Sequence, residues 1–290
     1  MSVVEVPIRG GRVEALVLPG GPGMPLLVLG GVETGLRRLA GTEHVLEGRW
    51  EQRRRRRPVV VMGRPLPDAT DDAERLMHPR VIADAVATAI GQLAADGGPE
   101  PPYAIEAESG GGRISLWLTV DHPELVSRLV LASVASETPP DSEMSGRMAQ
   151  WIELAENDDW GAFFGRMAVQ MRPGATLDAE DGGSVAGAGS FEAAARLQPR
   201  PATPERFIGE LRATLDPTSF VTDRLGEIQV PVLVLAGGRD QVVPPASTRL
   251  VAERIPGARL EVDAESGHTI RSSFSGYHEL VEAFLAEREG

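Results

Sequence analysis

The strongest constraint on the fold is a turn within residues 103–114, which read Tyr-Ala-Ile-Glu-Ala-Glu-Ser-Gly-Gly-Gly-Arg-Ile. An apolar, strand-like run ends at Ala107, and helix-compatible sequence begins at Arg113, with Ser109 between them among small residues. A strand that turns sharply into a helix needs small neighbours, and it places the serine oxygen beside free amides at the helix N-terminus. The stretch therefore predicts a strained strand-to-helix elbow that presents Ser109 as a nucleophile.

An aspartate and a histidine follow along the chain, each after a predicted strand. The apolar run 231–236 ends in a turn that carries Asp240, and the run 258–263 leads into a loop that carries His268. The order serine, aspartate, histidine is the order of a hydrolytic triad on an α/β sheet. Each residue alone could be a turn serine, a helix cap or a loop histidine, but their occurrence together in this order favours one catalytic set.

The sequence here resembles the α/β-hydrolase superfamily, and the resemblance covers nearly the whole chain. Three segments carry it, namely the elbow at Ser109, Gly-Gly-Arg-Asp-Gln-Val-Val-Pro at 237–244, and Ser-Gly-His at 266–268. The resemblance implies that His268 takes the Ser109 proton as the serine attacks a carbonyl carbon. It also implies that Asp240 holds the imidazole in the required tautomer.

The resemblance further implies an oxyanion hole formed by the backbone amides of Gly110 and Val32. In this superfamily the loop that contains the second donor usually opens with His-Gly. Glycine replaces that histidine at Gly30, and Ala107 replaces the first glycine of the elbow pattern. The oxyanion donor is a main-chain group, so the substitution at position 30 changes the support of the loop and not the donor itself.

Apart from one interruption, the chain alternates predicted strands and helices. Helices are predicted at 81–93, 246–254 and 272–287, and the strands imply an α/β fold with a mostly parallel central sheet and helices on both faces. The strand rhythm stops after Ser136, and helical periodicity with large apolar side chains continues to about Thr222. We therefore predict a catalytic domain of residues 1–136 and 223–290 with a helical cap of residues 137–222. Its glycine-rich stretch, 182–189, is predicted to be mobile.

The predicted cap and the elbow together supply the candidate pocket residues. Large side chains recur at helical spacing in the cap, and a cap must turn one face to the catalytic cleft. The candidates are Glu108, Trp151, Trp160, Phe163, Phe164 and Met167. These residues predict a compact, largely apolar substrate. A carboxylate at position 108 would raise the pKa of His268 if it faced the cleft, and a surface or hydrogen-bonded glutamate is the plainer alternative.

Three arginine sites and one histidine receive structural interpretations. Arg64 is predicted in a rigid loop, 63–67, at the active-site edge, and Arg113 on the surface of the elbow helix. Either arginine could hold a single substrate carboxylate if it faced the cleft. The five arginines from Arg53 to Arg57 are predicted to form a solvated surface. His122 is predicted to be a surface or capping residue.

Composition excludes several classes of protein. The chain lacks cysteine, and it lacks lysine because all 29 basic residues are arginine. These absences exclude thiolate nucleophiles and lysine Schiff bases. A formal charge of −13 argues against a nucleic-acid partner. No dinucleotide, phosphate or metal-binding motif is present, so we predict no cofactor and no metal. Without a long apolar run or a signal-peptide pattern, we expect a cytoplasmic protein with a small-molecule substrate and no membrane partner. The oligomeric state is not predicted.

Three functions fit these observations. The first, which we favour, is a serine hydrolase that cleaves an ester, thioester or lactone through an acyl-enzyme. The second is a non-hydrolytic or C–C bond-cleaving tailoring enzyme on the same fold, which the departures at Gly30, Ala107 and Glu108 keep open. The third is a non-catalytic small-molecule receptor that uses the cap pocket, and an intact triad argues against it.

Overall fold

In the computed structural model, the described residues contain eight strands that form a single sheet. The structure describes residues 2–31, 50–68, 73–172, 196, 200–201 and 203–287. The strands are β1 (Ser2–Ile8), β2 (Gly11–Leu18), β3 (Leu26–Leu29), β4 (Val59–Pro67), β5 (Tyr103–Glu108), β6 (Val126–Ala132), β7 (Val232–Gly237) and β8 (Arg259–Asp263). Their order across the sheet is β1-β2-β4-β3-β5-β6-β7-β8. β1, β2 and β4 pair antiparallel, and all pairs from β4 to β8 are parallel.

Helices cover both faces of this sheet. They are α1 (Ala73–Leu76), α2 (Pro79–Ala95), α3 (Gly110–Asp121), α4 (Glu143–Glu156), α5 (Trp160–Gln170), α6 (Pro204–Leu215), α7 (Pro245–Arg254), α8 (Ile270–Ser273) and α9 (Tyr277–Ala286). The predicted α/β-hydrolase architecture, a mostly parallel sheet between helices, is confirmed. The helix starts were predicted within two residues for α2 and α7, whereas the last predicted helix is divided into α8 and α9.

The central strands bury both of their faces, which explains their continuous apolar sequences. In β6, Leu129 and Leu131 belong to the core covered by α2, α3 and α7. Val130 and Ala132 belong to the core covered by α9. Side chains alternate between the two faces of a strand, so a strand between two helical layers needs apolar residues at every position. This burial holds the central strands in place. It therefore also fixes where the loops that carry the site leave the sheet.

The predicted loop at Gly63–Pro67 is in fact the second half of β4. Here β4 has continued beyond the end of β3 and pairs with β2 alone, so that Pro65 lies opposite Val13 and Pro67 opposite Gly11. A proline cannot donate to a neighbouring strand and is tolerated where a strand pairs on one side only. The prolines therefore do not end this strand, and the loop prediction is wrong.

The arginine run is also only partly the solvated surface that the sequence predicts. Arg53 and Arg57 are buried, with 3% and 5% of their surfaces exposed, whereas Arg55 and Arg56 are exposed. Arg53 lies 3.3 Å from the carboxylate of Glu106 and also contacts Glu282, which Arg57 binds at 3.1 Å. The backbone amide of Arg57 donates to the carbonyl oxygen of Arg53 at 3.1 Å, and this i to i+4 turn places the two side chains on one face. The surface prediction is therefore wrong for Arg53 and Arg57.

Helices α4, α5 and α6 lie between β6 and β7, within the stretch predicted as the cap. They enclose an apolar cluster centred on Phe163, whose ring lies 5.1–6.0 Å from the rings of Trp151, Trp160, Phe164 and Phe207. All four ring pairs meet edge to face, which is a favourable arrangement for aromatic side chains. The boundaries of the cap at 137 and 222 remain our prediction, and the predicted mobile stretch 182–189 lies outside the described residues.

The elbow brings α3 into direct backbone contact with the end of β3. A Cβ atom on Gly111 would lie 2.2 Å from the carbonyl oxygens of Leu29 and Gly30. A Cβ atom on Gly112 would lie 2.1 Å from a methyl group of Val134. The small residues after Ser109 are therefore required by packing, as the elbow pattern predicts.

We predict that Gly111→Ala lowers the free energy of unfolding by about 1–3 kcal/mol, because the added methyl group overlaps two backbone oxygens that cannot move independently. Gly91→Ala is the matched control, since Gly91 is exposed on α2 with nothing within 4 Å of its Cβ position. That change should stabilise the protein by roughly 0.5–1 kcal/mol. Urea unfolding of both variants checks the prediction, and equal stabilities would contradict it.

Candidate active site

Ser109 lies at the sharp turn between β5 and α3. Its φ of 53° and ψ of −125° put a non-glycine residue in a region of backbone space that is rarely occupied. The turn is held by a hydrogen bond from the Ser109 amide to the carbonyl oxygen of Ala132, at 3.0 Å. Strain of this kind persists only where surrounding structure imposes it, and here it directs a half-buried hydroxyl away from the sheet.

The three residues predicted as a triad converge at the carboxyl edge of the sheet. Nε2 of His268 lies 3.0 Å from Oγ of Ser109, and Nδ1 of His268 lies 2.9 Å from Oδ2 of Asp240. Asp240 follows β7 and His268 follows β8, so the ends of three parallel strands supply the set. These distances are within hydrogen-bonding range. The catalytic roles of the three residues remain a prediction.

Asp240 is held in a fixed orientation by its own loop. Its Oδ1 atom accepts hydrogen bonds from the backbone amides of Val242 and Val243, each at 2.9 Å. The side chain is 1% exposed, so little water competes for its oxygens. An aspartate anchored in this way can hold an imidazole ring with its Nε2 atom facing a serine hydroxyl.

The pKa of His268 depends on opposing influences. Burial disfavours the charged imidazolium and acts to lower the pKa, as does the nearby charge of Arg147. The negative charge of Asp240, its hydrogen bond to the ring and the charge of Glu108 act in the other direction. The net result is a raised pKa for His268. Glu108 therefore acts on the histidine electrostatically, which agrees with the alternative in which its carboxylate faces the cleft.

The triad opens onto a cavity of about 310 Å³ between the sheet edge and the cap helices. Glu108, Ser109 and His268 line its floor, and apolar side chains of the cap line much of the rest. The predicted pocket residues Glu108, Trp151, Phe163 and Met167 all contribute to this lining. Cavities of this size suit a small organic molecule.

Two predicted pocket residues lie elsewhere. Trp160 and Phe164 are not among the described residues that line the cavity, and this part of the prediction is wrong. They are four residues apart on α5 and share a stripe that packs inside the cap, where Trp160 meets Phe207 at 5.7 Å. Phe163 and Met167 occupy the neighbouring stripe, and that stripe reaches the cavity. Helical periodicity identified the amphipathic helix but not which stripe faces the cleft.

Arg113 is buried, and its predicted place on the helix surface is wrong. It follows Ser109 by four residues, so it projects from the side of α3 that lies under the cap. Its guanidinium donates hydrogen bonds of 2.9–3.2 Å to neutral acceptors on α6 and on the segments that flank the cap helices, namely Ala135, Thr138, Thr214 and Ser219. Burial lowers the pKa of Arg113 to about 10, although the negative charge of Glu137 acts to raise it.

Glu210 lines the cavity from α6 and forms an ion pair with Arg64, and neither feature was predicted from the sequence. A buried carboxylate can be suspected from sequence only when its arginine partner is known, and Arg64 precedes Glu210 by 146 residues. His122 does cap α3 as predicted, and its side chain bonds to Asp84 at 2.9 Å.

Of the two predicted oxyanion donors, the structure describes only Gly110. Gly110 is the first residue of α3, where backbone amides have no partner within the helix. Val32 lies outside the described residues. The preceding Gly31 is described, and a Cβ atom on it would lie 3.5 Å from Cβ of Ser109, so this backbone passes close to the nucleophile.

Within the described ranges, no group of three or more histidine, cysteine, aspartate or glutamate side chains is arranged to hold a metal ion. Among the helices that the structure describes, none has the length and apolar character needed to cross a membrane.

The fold and the arrangement of Ser109, Asp240 and His268 define an α/β hydrolase. The chain belongs to the serine aminopeptidase S33 family, whose family model matches residues 78–272. Among solved structures, the chain is similar to an α/β-hydrolase enzyme from a Medee basin deep-sea metagenome library. The TM-score is 0.76 at 14% identity, with 99% of this chain and 98% of that chain covered. It is also similar to an esterase from Exiguobacterium antarcticum, with a TM-score of 0.74, 18% identity and coverage of 99% and 100%.

A curated relative is the pimeloyl-(acyl-carrier protein) methyl ester esterase of Neisseria meningitidis serogroup A. It is 26% identical over 223 residues, which are 72% of this chain and 63% of that protein. The chain thus spans less than two thirds of the length of the curated relatives that it matches.

We predict that Glu108→Gln moves the acidic limb of the kcat/KM profile to lower pH. His268 acts as a base only when neutral, and the charge of Glu108 helps to raise its pKa, so removing that charge lets the ring stay neutral in more acidic solution. The profile of ester hydrolysis against pH measures the shift. Glu124→Gln, at an exposed position on a 3-10 turn, controls for the loss of one negative charge. A limb that does not move, or that moves upward, would contradict the prediction.

Proposed function

We propose that the protein is a serine hydrolase that cleaves an ester, thioester or lactone of a compact, largely apolar small molecule. The observation that supports this most directly is the chain of short contacts from Ser109 Oγ to His268 at 3.0 Å and from His268 to Asp240 at 2.9 Å. A serine hydroxyl is a weak nucleophile until an adjacent base removes its proton. The geometry supports His268 as that base.

In the proposed first half-reaction, Oγ of Ser109 attacks the carbonyl carbon of the substrate while its proton passes to Nε2 of His268. The carbonyl oxygen becomes an oxyanion that the amide of Gly110 stabilises, together with a second amide at the predicted position 32. One such donor is typically worth about 3–4 kcal/mol in the transition state. The tetrahedral intermediate then expels the alcohol or thiol, which receives the proton from His268, and leaves an acyl group on Ser109.

The second half-reaction repeats these steps with water. His268 removes a proton from the water molecule as its oxygen attacks the acyl carbon. Collapse of this second intermediate releases the carboxylic acid and returns the proton to Ser109 Oγ. In both halves Asp240 stabilises the imidazolium that forms, and its bonds to the amides of Val242 and Val243 keep it from rotating away.

The substrate class is inferred from the walls of the cavity. Its cap side supplies Met148, Trp151, Phe163 and Met167, which are large and apolar. Thioether and aromatic side chains give extensive contact with hydrocarbon groups and little stabilisation to charge. Both arginines considered in the sequence as carboxylate binders are engaged by the protein itself, Arg64 with Glu210 and Arg113 with neutral acceptors. Arg271 also lines the cavity, but its guanidinium lies 3.7 Å from Glu106 and over the ring of Trp50. The negative charge of Glu108 further disfavours anions, and the esterase activity named for the relative from Neisseria supports an ester.

We predict that p-nitrophenyl esters of neutral, medium-length acids are cleaved about tenfold or more faster than esters of matched length that carry a terminal carboxylate. Burial of an unpaired carboxylate in an apolar cavity is costly. Steady-state kcat/KM across the panel measures the preference. Ser109→Ala provides the blank, because it retains the cavity and lacks the nucleophile. Faster cleavage of the anionic esters would overturn the proposed substrate class, and turnover by Ser109→Ala would favour a reaction that uses His268 alone.

A further inference from the structure

Arg64 makes a set of contacts that its position in the sequence does not suggest. Its side chain is fully buried in the second half of β4. The Nε atom lies 2.7 Å from Oε1 of Glu210 on α6, and Nη2 donates to the carbonyl oxygens of Gly30 and Gly31 at 3.0 and 2.7 Å. One guanidinium therefore links a cap helix to the backbone that follows β3.

That backbone runs directly beside the nucleophile. A Cβ atom on Gly31 would lie 3.5 Å from Cβ and 3.8 Å from Oγ of Ser109. The carbonyl oxygen of Gly30 also lies against Gly111, the second residue of α3. A shift in the Gly30–Gly31 peptide would therefore alter the space in which a tetrahedral intermediate forms.

Two consecutive glycines cannot hold this orientation by themselves. Glycine populates a wide range of backbone angles, and a rotated peptide could turn a carbonyl oxygen towards the developing negative charge. The carbonyl and amide of one trans peptide unit point in opposite directions. Fixing the carbonyl of Gly30 on Arg64 therefore also fixes the direction of the Gly31 amide. By the same geometry, fixing the carbonyl of Gly31 sets the direction of the next amide along the chain, which is the predicted second donor.

We propose that Arg64 and Glu210 form a positioning pair that holds the Gly30–Gly31 backbone in the orientation needed for oxyanion stabilisation. The inference rests on the proposed hydrolytic function. Glu210 orients the guanidinium by a charge-assisted hydrogen bond, and Arg64 passes that orientation to the two carbonyl groups. Because Glu210 also lines the cavity, the position of α6 is coupled to the backbone beside Ser109. Position 30 carries glycine in place of the histidine that is usual in this superfamily, and Arg64 thus supplies support for the loop from β4.

The test must avoid leaving a buried charge without its partner, because removing one member of a buried ion pair is strongly destabilising, whereas replacing both by apolar residues is often tolerated. The informative variant is therefore the double change Arg64→Met with Glu210→Met. The control is Arg128→Met. Arg128 lies near the start of β6, away from the site, and is also buried. Its guanidinium donates to the carbonyl oxygens of Phe284 and Glu287.

For a neutral p-nitrophenyl ester that the wild-type protein hydrolyses, the double variant should remain folded and lose about 10- to 100-fold in kcat. Its KM should stay within about threefold, because Glu210→Met changes one lining residue and leaves the apolar side chains of the cap in place. Affinity for a trifluoromethyl ketone, which forms a tetrahedral adduct with the serine, should fall in parallel with kcat. Arg128→Met should keep the wild-type kcat per folded molecule.

Further results separate the possible failures. Wild-type kcat and ketone affinity in the folded double variant would overturn the positioning role and leave the hydrolytic function intact. No hydrolysis by the wild-type protein would instead contradict the proposed function. Arg64→Lys keeps a positive charge opposite Glu210, so it replaces the double variant if the latter does not fold, and it should lose kcat. Wild-type kcat in Arg64→Lys, which lacks the planar donor set, would also count against the proposal.

Discussion

The site depends on a backbone contact that leaves no room for side chains. Helix α3 can begin immediately after Ser109 only because Gly111 has no side chain where it lies against the carbonyl oxygens of Leu29 and Gly30. The same contact fixes the distance between the end of β3 and the end of β5. A strained Ser109, a free amide at Gly110 and the neighbouring Gly30–Gly31 peptide all follow from it. The histidine and aspartate loops then need only to reach a point that the sheet has already defined.

Two glutamates of β5 show how position on one strand separates structural from chemical roles. Glu106 and Glu108 are two residues apart and lie on the same face of the strand. Burial alone would raise the pKa of Glu106, but the charges of Arg271 and Arg53 and the hydrogen bond from Tyr277 lower it overall. This carboxylate is therefore ionised and stabilises the protein above its unfolded pKa, and that stabilisation is lost as the pH falls through its folded pKa. Glu108 instead reaches the cavity and raises the pKa of His268.

Much of the fold could be predicted because it depends on local patterns. Short stretches of sequence are enough to recognise the apolar strands, the alternating helices and the elbow. The order of Ser109, Asp240 and His268 is likewise a property of the chain alone. Arg53, Arg64 and Arg113 were misplaced for a shared physical reason. A buried arginine is tolerated only where partners compensate its charge or satisfy its donors, and those partners are distant in sequence. The side of α5 that faces the cleft depends likewise on how three helices pack, which periodicity does not determine.

The central claim, that His268 and Asp240 activate Ser109, is tested most directly by covalent labelling with a fluorophosphonate. Such a reagent bonds to a serine oxygen only where the hydroxyl is activated, and the adduct does not turn over. Intact-protein and peptide mass spectrometry should show one adduct on the peptide that contains Ser109. Labelling should be nearly absent in His268→Ala and slower than wild type in Asp240→Asn. An unlabelled wild-type protein, or labelling of Ser109 that is as fast without His268, would contradict the account.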